Sequence, residues 1–164
     1  MIKISLVFGD ITRQSVDAIV NAANPELKGG GGVDGAIHAA AGPTVLEQCR
    51  SLGGCETGDA KATAAGELPV RCIIHSVGPV WKGGGNGEES ALVRCHSRAL
   101  DIAVAVGCRT VAFPAISCGV YGFPVERAAP LALSVAQAAD ASSLDEIRFV
   151  LFEREVMRAF EAVA

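Results

Sequence analysis

The sequence predicts an α/β protein, a layered domain built on a central and largely parallel sheet. Three observations lead to this prediction. Short apolar or β-branched runs recur along the chain, segments with helical periodicity lie between them, and Gly-rich turns join a strand to a helix at two places. Strands that alternate with helices typically form a parallel sheet covered by helices.

Apolar alternation and β-branched runs predict six strands. These are Lys3–Phe8, Ala18–Ala22, Lys61–Gly66, Cys72–Val77, Thr110–Phe113 and Ile147–Phe152. Helical patterns lie between and after them, at Asp34–Ala41, Pro43–Ser51, Glu89–Val106, Pro124–Ala139 and Glu153–Ala162. Pro43 suits the first turn of its helix, because proline fixes a helical φ and lacks an N–H that this turn does not use.

Size and charge limit the classes of protein to which this chain can belong. The chain has 164 residues, 50% of them hydrophobic and 20% charged, with no linker or internal repeat, so we expect one domain over residues 1–164. A net charge of -4 without a Lys/Arg run argues against nucleic-acid or membrane binding. Met1–Asp10 lacks a signal-peptide pattern and no apolar run reaches membrane-spanning length, so a cytoplasmic location is the expectation.

The cysteines form no metal-binding pattern, since no Cys-x-x-Cys pair occurs among the six. They are Cys49, Cys55, Cys72, Cys95, Cys108 and Cys118. We expect most to be buried, reduced and apolar in behaviour. Cys118 differs because it lies in a Gly-rich loop, but a nucleophilic thiol would need a base, and the sequence places no histidine beside it.

Two Gly-rich loops carry the main functional signal. One runs from Ile19 to His38 and includes four consecutive glycines; the other runs from Phe113 to Pro124. Gly-rich turns at strand-to-helix junctions present backbone N–H groups beside a helix N-terminus, where phosphates bind. Together the loops could hold the two phosphates and a sugar of a nucleotide-type ligand, with Asn24 and Asp34 within reach.

Four blocks of sequence resemble the macrodomain family, and the match is closest to its MacroD-type branch. They are Gly9–Thr12, Val16–Asn24, Gly29–His38 and Ile116–Gly122, in register from about Lys3 to Asp140. The resemblance implies a three-layer α/β/α sandwich with a mixed, largely parallel six-stranded sheet that binds ADP-ribose. It also implies hydrolysis of O-acetyl-ADP-ribose, and removal of mono-ADP-ribose from acidic side chains of proteins, without a cofactor or metal.

The resemblance also implies where each part of the ligand is bound. Asp10 would accept a hydrogen bond from the adenine amino group, which suits an ionised carboxylate, and Ile11 would lie beside the adenine. The second loop would hold the phosphates, and Tyr121 would cover the distal ribose. The other implied ligand-binding residues are Asn24, Gly31, Gly32, Val33, Asp34, Ser117, Cys118, Gly119 and Val120.

Asn24 and Asp34 are the residues to which the resemblance assigns the chemistry. Asn24 would hydrogen-bond the distal ribose, and Asp34 would orient or deprotonate a water, with the ligand phosphate as the alternative base. Structural interpretations stand beside these: Asp34 as the N-cap of a helix, and Asn24 as a turn amide before Pro25. A non-catalytic reader that binds ADP-ribose is the alternative function, although a reader needs no water-positioning carboxylate.

Other residues receive weaker predictions. His38 lies four residues after Asp34 on the same helical face, and we interpret it as a packed residue, with orientation of Asp34 as the alternative. Lys82–Glu88 is interpreted as a flexible surface loop, either a connector or a lid. His75 and Trp81 receive no role. Compared with the family, Cys118 stands where Thr is common and His96 where Tyr is common.

Overall fold

The computed structural model describes residues 1–164 as six strands and five α-helices. The strands are β1 (Lys3–Phe8), β2 (Ala18–Ala22), β3 (Ala60–Thr63), β4 (Cys72–Ser76), β5 (Thr110–Phe113) and β6 (Glu146–Leu151). The helices are α1 (Gly32–Ala41), α2 (Pro43–Leu52), α3 (Glu88–Ala105), α4 (Val125–Gln137) and α5 (Arg154–Glu161). A short 3-10 helix, Ile11–Arg13, follows β1.

All six strands form one sheet in the order β1-β6-β5-β2-β4-β3. Every neighbouring pair is parallel except β3 and β4, which are antiparallel. The sheet is therefore mixed and largely parallel, as predicted. The carboxyl ends of β2, β5 and β6 meet at one edge, where open α/β sheets bind their ligands.

Helices cover both faces of the sheet. Successive residues of a strand point to opposite faces, so each central strand contributes apolar side chains to both layers of the core. In β2, Ala18 and Val20 belong to the apolar cluster beneath α3, α4 and α5, whereas Ile19 belongs to the cluster beneath α1 and α2. Phe113 and Phe149 stack in the larger cluster with ring centroids 5.6 Å apart. The predicted three-layer α/β/α sandwich is confirmed.

Several predicted boundaries are wrong by a few residues. The strand predicted at Lys61–Gly66 begins at Ala60 and ends at Thr63, because the chain turns there and Gly66 has a left-handed φ of 59°. The strand predicted at Ile147–Phe152 begins at Glu146 and leaves Phe152 beyond its end. The other predicted ends of strands and helices differ by no more than two residues.

The start of α1 corrects the interpretation of Asp34 as a helix cap. Gly31 is the N-cap and Gly32 the first helical residue, so Asp34 lies in the first turn and not at the cap. Its carboxylate is still well placed near the positive end of the helix dipole.

The cysteines behave as the sequence predicted, since all six are free thiols and five are buried. Among the helices of the structure, none combines the length and the apolar character needed to span a membrane.

Candidate ligand cavity and active site

A cavity of about 460 Å³ opens at the carboxyl ends of β2, β5 and β6. The two Gly-rich loops form its opposite walls, and the start of α5 contributes a third side. The lining residues are Ala22–Asn24, Gly30–Asp34, Gly78, Pro114–Tyr121, Val150–Glu153 and Val156. Its position matches the crevice where parallel α/β sheets bind ligands.

The first wall is a glycine turn that leads into α1. A Cβ atom on Gly31 or Gly32 would meet no protein atom within 4 Å, so the space beside this backbone is open. Asn24 braces the turn, because its Nδ2 donates to the Gly29 carbonyl at 2.8 Å and its Oδ1 accepts from the Lys28 N–H at 3.1 Å. The turn-amide interpretation of Asn24 therefore describes these contacts, and one N–H and one lone pair of the amide remain unused.

The second wall is the loop after β5, which is packed closely against the segment after β4. Ser117 has a left-handed φ of 66°, unusual for a residue with a side chain. A Cβ on Gly78 would collide with Ser117 Oγ, so only glycine permits this approach. The Trp81 N–H donates to the Tyr121 carbonyl at 2.8 Å and ties the far end of the loop. Val120 at its tip is fully exposed.

Asp34 lies at the floor of the cavity with one oxygen occupied by the protein. Its Oδ1 accepts a hydrogen bond from Asn21 Nδ2 at 2.9 Å and lies 3.2 Å from His38 Nε2. Oδ2 is directed towards Gly30, where a Cβ would lie 3.5 Å from Oδ2 and 3.9 Å from Asn24 Nδ2. The unoccupied carboxylate oxygen and the Asn24 amide therefore face the same part of the wall.

His38 thus contacts Asp34 directly, which agrees with the alternative that it orients the carboxylate. Its side chain is also mostly buried, with its ring stacked on that of His75 at a centroid distance of 5.9 Å. The two interpretations of His38 made from the sequence therefore both describe its surroundings.

Behind Asp34 lies a buried polar chain that the sequence reasoning missed. Asn21 Nδ2 is 3.1 Å from His75 Nδ1, and His75 Nε2 is 2.9 Å from Thr63 Oγ1. Burial, with a smaller contribution from His38, lowers the pKa of His75 to about 4 and keeps the ring neutral near pH 7. The available signal was a polar residue inside each of two apolar strands, Asn21 in β2 and His75 in β4.

Cys49 joins His38 and His75 in a group whose donor atoms all lie within 4.8 Å of one another, close enough to suggest a metal site. Hydrogen bonds and burial set the protonation of these groups. The Asn21 N–H fills the lone pair on His75 Nδ1, so the proton is on Nε2, the atom nearest Cys49 Sγ at 3.6 Å. Burial, assisted by Asp34, raises the pKa of the Cys49 thiol to about 11, so it stays protonated.

Ten of the twelve residues predicted to bind ligand line the cavity. They are Asn24, Gly31, Gly32, Val33, Asp34, Ser117, Cys118, Gly119, Val120 and Tyr121. Burial, then the Glu126 charge, raises the pKa of the Cys118 thiol to about 12, which opposes its action as a nucleophile.

Asp10 and Ile11 are the two predicted residues that do not line the cavity. Asp10 caps the 3-10 helix, accepting from the Thr12 N–H at 2.9 Å and the Thr12 hydroxyl at 2.7 Å, and the hydroxyl contact lowers its pKa. Ile11 is buried in the smaller core cluster. Because the Gly9 N–H donates to the Leu151 carbonyl, both residues lie beside the β6 side of the cavity.

The β6 side of the cavity was missed by the sequence analysis. Phe152, Glu153 and Val156 line it, and Phe152 is 61% exposed although it is aromatic. The available signal was an aromatic residue at the end of a predicted parallel strand, but apolar patterning alone assigns Phe152 to the strand.

The fold and cavity define a class: a three-layer α/β/α protein with a glycine-walled ligand site at the carboxyl ends of its parallel strands. The Macro domain family model matches residues 20–132, and the chain belongs to the macrodomain family.

Close relatives share nearly the whole chain. A macro domain-containing protein of Chlorobaculum tepidum is 52% identical over 153 residues, covering 92% of this chain and 89% of that protein. A Citrobacter rodentium protein named O-acetyl-ADP-ribose deacetylase is 47% identical over 165 residues, covering 97% of this chain and 93% of its own.

A mutant of the Oceanobacillus iheyensis macrodomain, solved with ADP-ribose, is structurally similar to this chain. It has a TM-score of 0.90 and 37% identity over 96% of this chain and 89% of that one. Mutants of the same macrodomain replace an asparagine and an aspartate whose separation in its chain equals that of Asn24 and Asp34 here. The glycine replaced in the first mutant is spaced like Gly31.

Proposed function

We propose that this protein binds ADP-ribose in the cavity and hydrolyses ADP-ribosyl esters. Its substrates are O-acetyl-ADP-ribose and proteins carrying mono-ADP-ribose on Asp or Glu. The single observation that carries the proposal is Asp34: a buried carboxylate at the cavity floor, with Oδ1 held by Asn21 and Oδ2 left to a substrate or water. A macrodomain relative named as the corresponding deacetylase supports it.

Binding follows from the two walls. The diphosphate lies between the start of α1 and the 117–121 loop, where backbone N–H groups and the helix dipole favour an anion. Gly31, Gly32 and Gly119 leave open space beside the backbone, so phosphate oxygens can approach it. The adenine lies on the β6 side, against Phe152 and close to Asp10, and the distal ribose lies at Asn24 and Asp34.

The reaction is addition of water to an ester. Asp34 Oδ2 accepts a hydrogen bond from the water and takes its proton as the oxygen attacks the ester carbonyl. The bond from the carbonyl carbon to the ribose oxygen breaks, Asp34 returns its proton to the departing ribose oxygen, and the products are ADP-ribose and a free carboxylic acid. Asn24 holds the ribose with the N–H that its own loop does not use. The ligand phosphate is the alternative base.

A non-catalytic reader is the second candidate, and the contacts of Asn24 favour it. Its amide is already bonded at both ends within its own loop, as expected of a structural brace. A reader would use the same cavity but would leave the ester intact.

The deciding experiment measures release of ADP-ribose from O-acetyl-ADP-ribose, and from a protein mono-ADP-ribosylated on glutamate. We expect turnover by the wild-type protein and a loss of about a hundredfold or more in Asp34→Asn, which keeps the shape but removes the base. ADP-ribose affinity, measured by calorimetry, should stay within about threefold.

The controls separate the two candidates. Turnover retained in Asp34→Asn would assign the proton to the ligand phosphate. Absence of turnover in the wild type, with ADP-ribose still bound, would establish the reader. Equal loss of affinity and turnover in the variant would make Asp34 a binding residue.

A further inference from the structure

We propose that Thr63 and His75 are positioning residues for Asp34, acting through Asn21 in a chain of buried hydrogen bonds that ends at the cavity floor. The proposal rests on the proposed ester hydrolysis, because its consequence is measured in turnover. Thr63, 8% exposed, and His75, fully buried, lie away from the cavity wall. Their effect on the reaction must therefore pass through the intervening side chain.

The first step is the orientation of the Asn21 amide. Its Nδ2 contacts both Asp34 Oδ1, at 2.9 Å, and His75 Nδ1, at 3.1 Å. Turning the amide over would put its oxygen against the carboxylate oxygen, which is repulsive. Both N–H groups of Asn21 are therefore used, one on each neighbour, while its Oδ1 is buried without a partner. The two hydrogen bonds made by Nδ2 hold the amide in this orientation, although they leave its Oδ1 without a partner.

The second step is the tautomer of His75. Since Nδ1 accepts from Asn21, the ring proton must be on Nε2. Nε2 then needs an acceptor, and Thr63 Oγ1 lies 2.9 Å away. The Thr63 hydroxyl can accept this proton because its own hydrogen is donated to the Ala64 carbonyl at 2.9 Å. Each proton in the chain therefore has one direction, from the imidazole to the hydroxyl to the backbone.

The third step is the effect of the His75 tautomer on the hydrogen bond from Asn21 to Asp34. Burial lowers the pKa of His75 to about 4, so the ring stays neutral and keeps one tautomer near pH 7. Without the Thr63 hydroxyl, the buried Nε2 proton is left with only a weak sulfur acceptor, Cys49 Sγ at 3.6 Å, and the other tautomer becomes competitive. That tautomer places an N–H against the Asn21 N–H, which forces the amide to turn and removes the donor from Asp34.

The test compares two substitutions at one position. Thr63→Val keeps the side-chain shape and removes the hydroxyl, whereas Thr63→Ser keeps the hydroxyl. We expect kcat for ester hydrolysis to fall about ten- to a hundredfold in Thr63→Val, as for a small displacement of a reacting group. ADP-ribose affinity and KM should stay within about threefold. Thr63→Ser should recover kcat to within about threefold of wild type.

The proposal would be overturned by an unchanged kcat in Thr63→Val, or by equal losses of kcat in the valine and serine variants. Loss of affinity together with kcat would also overturn it, because a general loosening of the fold does not separate the two. A wild-type protein that does not hydrolyse either ester would refute the proposed function itself, a result distinguishable from the preceding ones.

A measurement on the wild-type protein tests the proposal even if Thr63→Val does not fold. Nitrogen NMR of histidine-labelled protein should show His75 neutral at pH 7, with its proton on Nε2. A proton on Nδ1, or a charged ring, would contradict the hydrogen-bond chain whether or not hydrolysis is observed. In a folded Thr63→Val variant we expect both tautomers of His75.

Discussion

The role of each polar side chain at the cavity floor depends on which of its atoms already form hydrogen bonds within the protein. Asp34 has Oδ1 engaged and Oδ2 free, whereas Asn24 has one hydrogen bond at each end of its amide. The free carboxylate oxygen suits a proton acceptor, and the partly engaged amide suits a rigid donor. Their difference explains why the proposal assigns base chemistry to one and ribose binding to the other.

Phe152 provides a residue-scale prediction for the adenine end. Replacing it with Ala should weaken ADP-ribose binding by about 1–3 kcal/mol, because an aromatic ring that stacks on a base contributes about this much. Calorimetric titration with ADP-ribose, and with ribose 5-phosphate as the ligand without adenine, measures the effect. Binding of ribose 5-phosphate should not change.

The chain supplies a matched control for that substitution. Phe8 is also a half-exposed phenylalanine at the carboxyl end of a strand, but it lies under the Arg154 guanidinium and does not line the cavity. Phe8→Ala should leave ADP-ribose affinity unchanged. Equal effects of the two substitutions would refute the placement of the adenine against Phe152.

The site residues divide into those that the sequence could predict and those that it could not. The placement of Asn24 and the 117–121 loop was predictable because they closely follow the ends of β2 and β5, and parallel strands end at a common edge. Asp34, in the first turn of α1, was assigned from the resemblance of the glycine turn to the macrodomain family. The pairing of Asn21 with His75 was not predictable, because it depends on the register of β2 against β4, in which these two residues are partners. Register is set by the packing of the whole sheet.

Among the elements, the segment 82–88 differs most from its predicted character. Its glycines predict a flexible connector or lid, yet several of its backbone N–H groups donate hydrogen bonds to one carboxylate. Glu88 accepts from the N–H groups of Lys82 at 2.8 Å, Gly84 at 3.0 Å and Asn86 at 2.7 Å, and it is buried at the start of α3. None of the residues 82–88 lines the cavity. Glycine composition predicts backbone freedom but not what the backbone binds.

Glu88 therefore gives an element-scale prediction. Burial raises the pKa of its carboxyl, but the backbone hydrogen bonds of Gly84, Lys82 and Asn86 outweigh burial and lower it to about 2. A lowered folded-state pKa means that the carboxylate stabilises the fold above its unfolded value of about 4.5, and that this contribution disappears as the pH falls towards 2. Glu88→Gln should lower the urea midpoint at pH 7.

The pH dependence tests this reasoning more sharply than the size of the effect. The difference in midpoint between wild type and Glu88→Gln should shrink below about pH 4.5. Glu89→Gln is the matched control, because its neighbouring carboxylate is half-exposed and paired only with Arg127 at 3.3 Å. A larger effect from Glu89 than from Glu88, or a difference independent of pH, would contradict the prediction.

At the scale of the whole molecule, the layers were predictable and the histidines that they bury were not. Alternating strands and helices fix a covered parallel sheet. His75 and His96, by contrast, are assigned to the interior only by the packing of the helices on either face of the sheet. His96 is stacked on Phe113 and its Nδ1 lies 2.7 Å from the Leu92 carbonyl, to which it donates.

These two histidines make the stability of the fold depend on pH. Burial lowers the pKa of each to about 4, against 6.5 in an unfolded chain. Between these values the unfolded chain binds protons that the folded protein does not, so stability falls as the pH falls. Each histidine contributes a slope of about 1.4 kcal/mol per pH unit. Because the unfolded histidines are only partly protonated at pH 6, urea unfolding between about pH 6 and pH 5 should show a loss of about 2 kcal/mol.

His96→Tyr separates this effect from the titration of carboxyl groups. Tyrosine does not titrate in this range and is an aromatic of comparable shape for the site beside Phe113. Whatever its stability at pH 7, the variant should lose only about half as much as wild type over the same interval, because one buried histidine remains. An unchanged slope would mean that His96 binds a proton as readily in the folded protein as in the unfolded chain, and would contradict the lowered pKa.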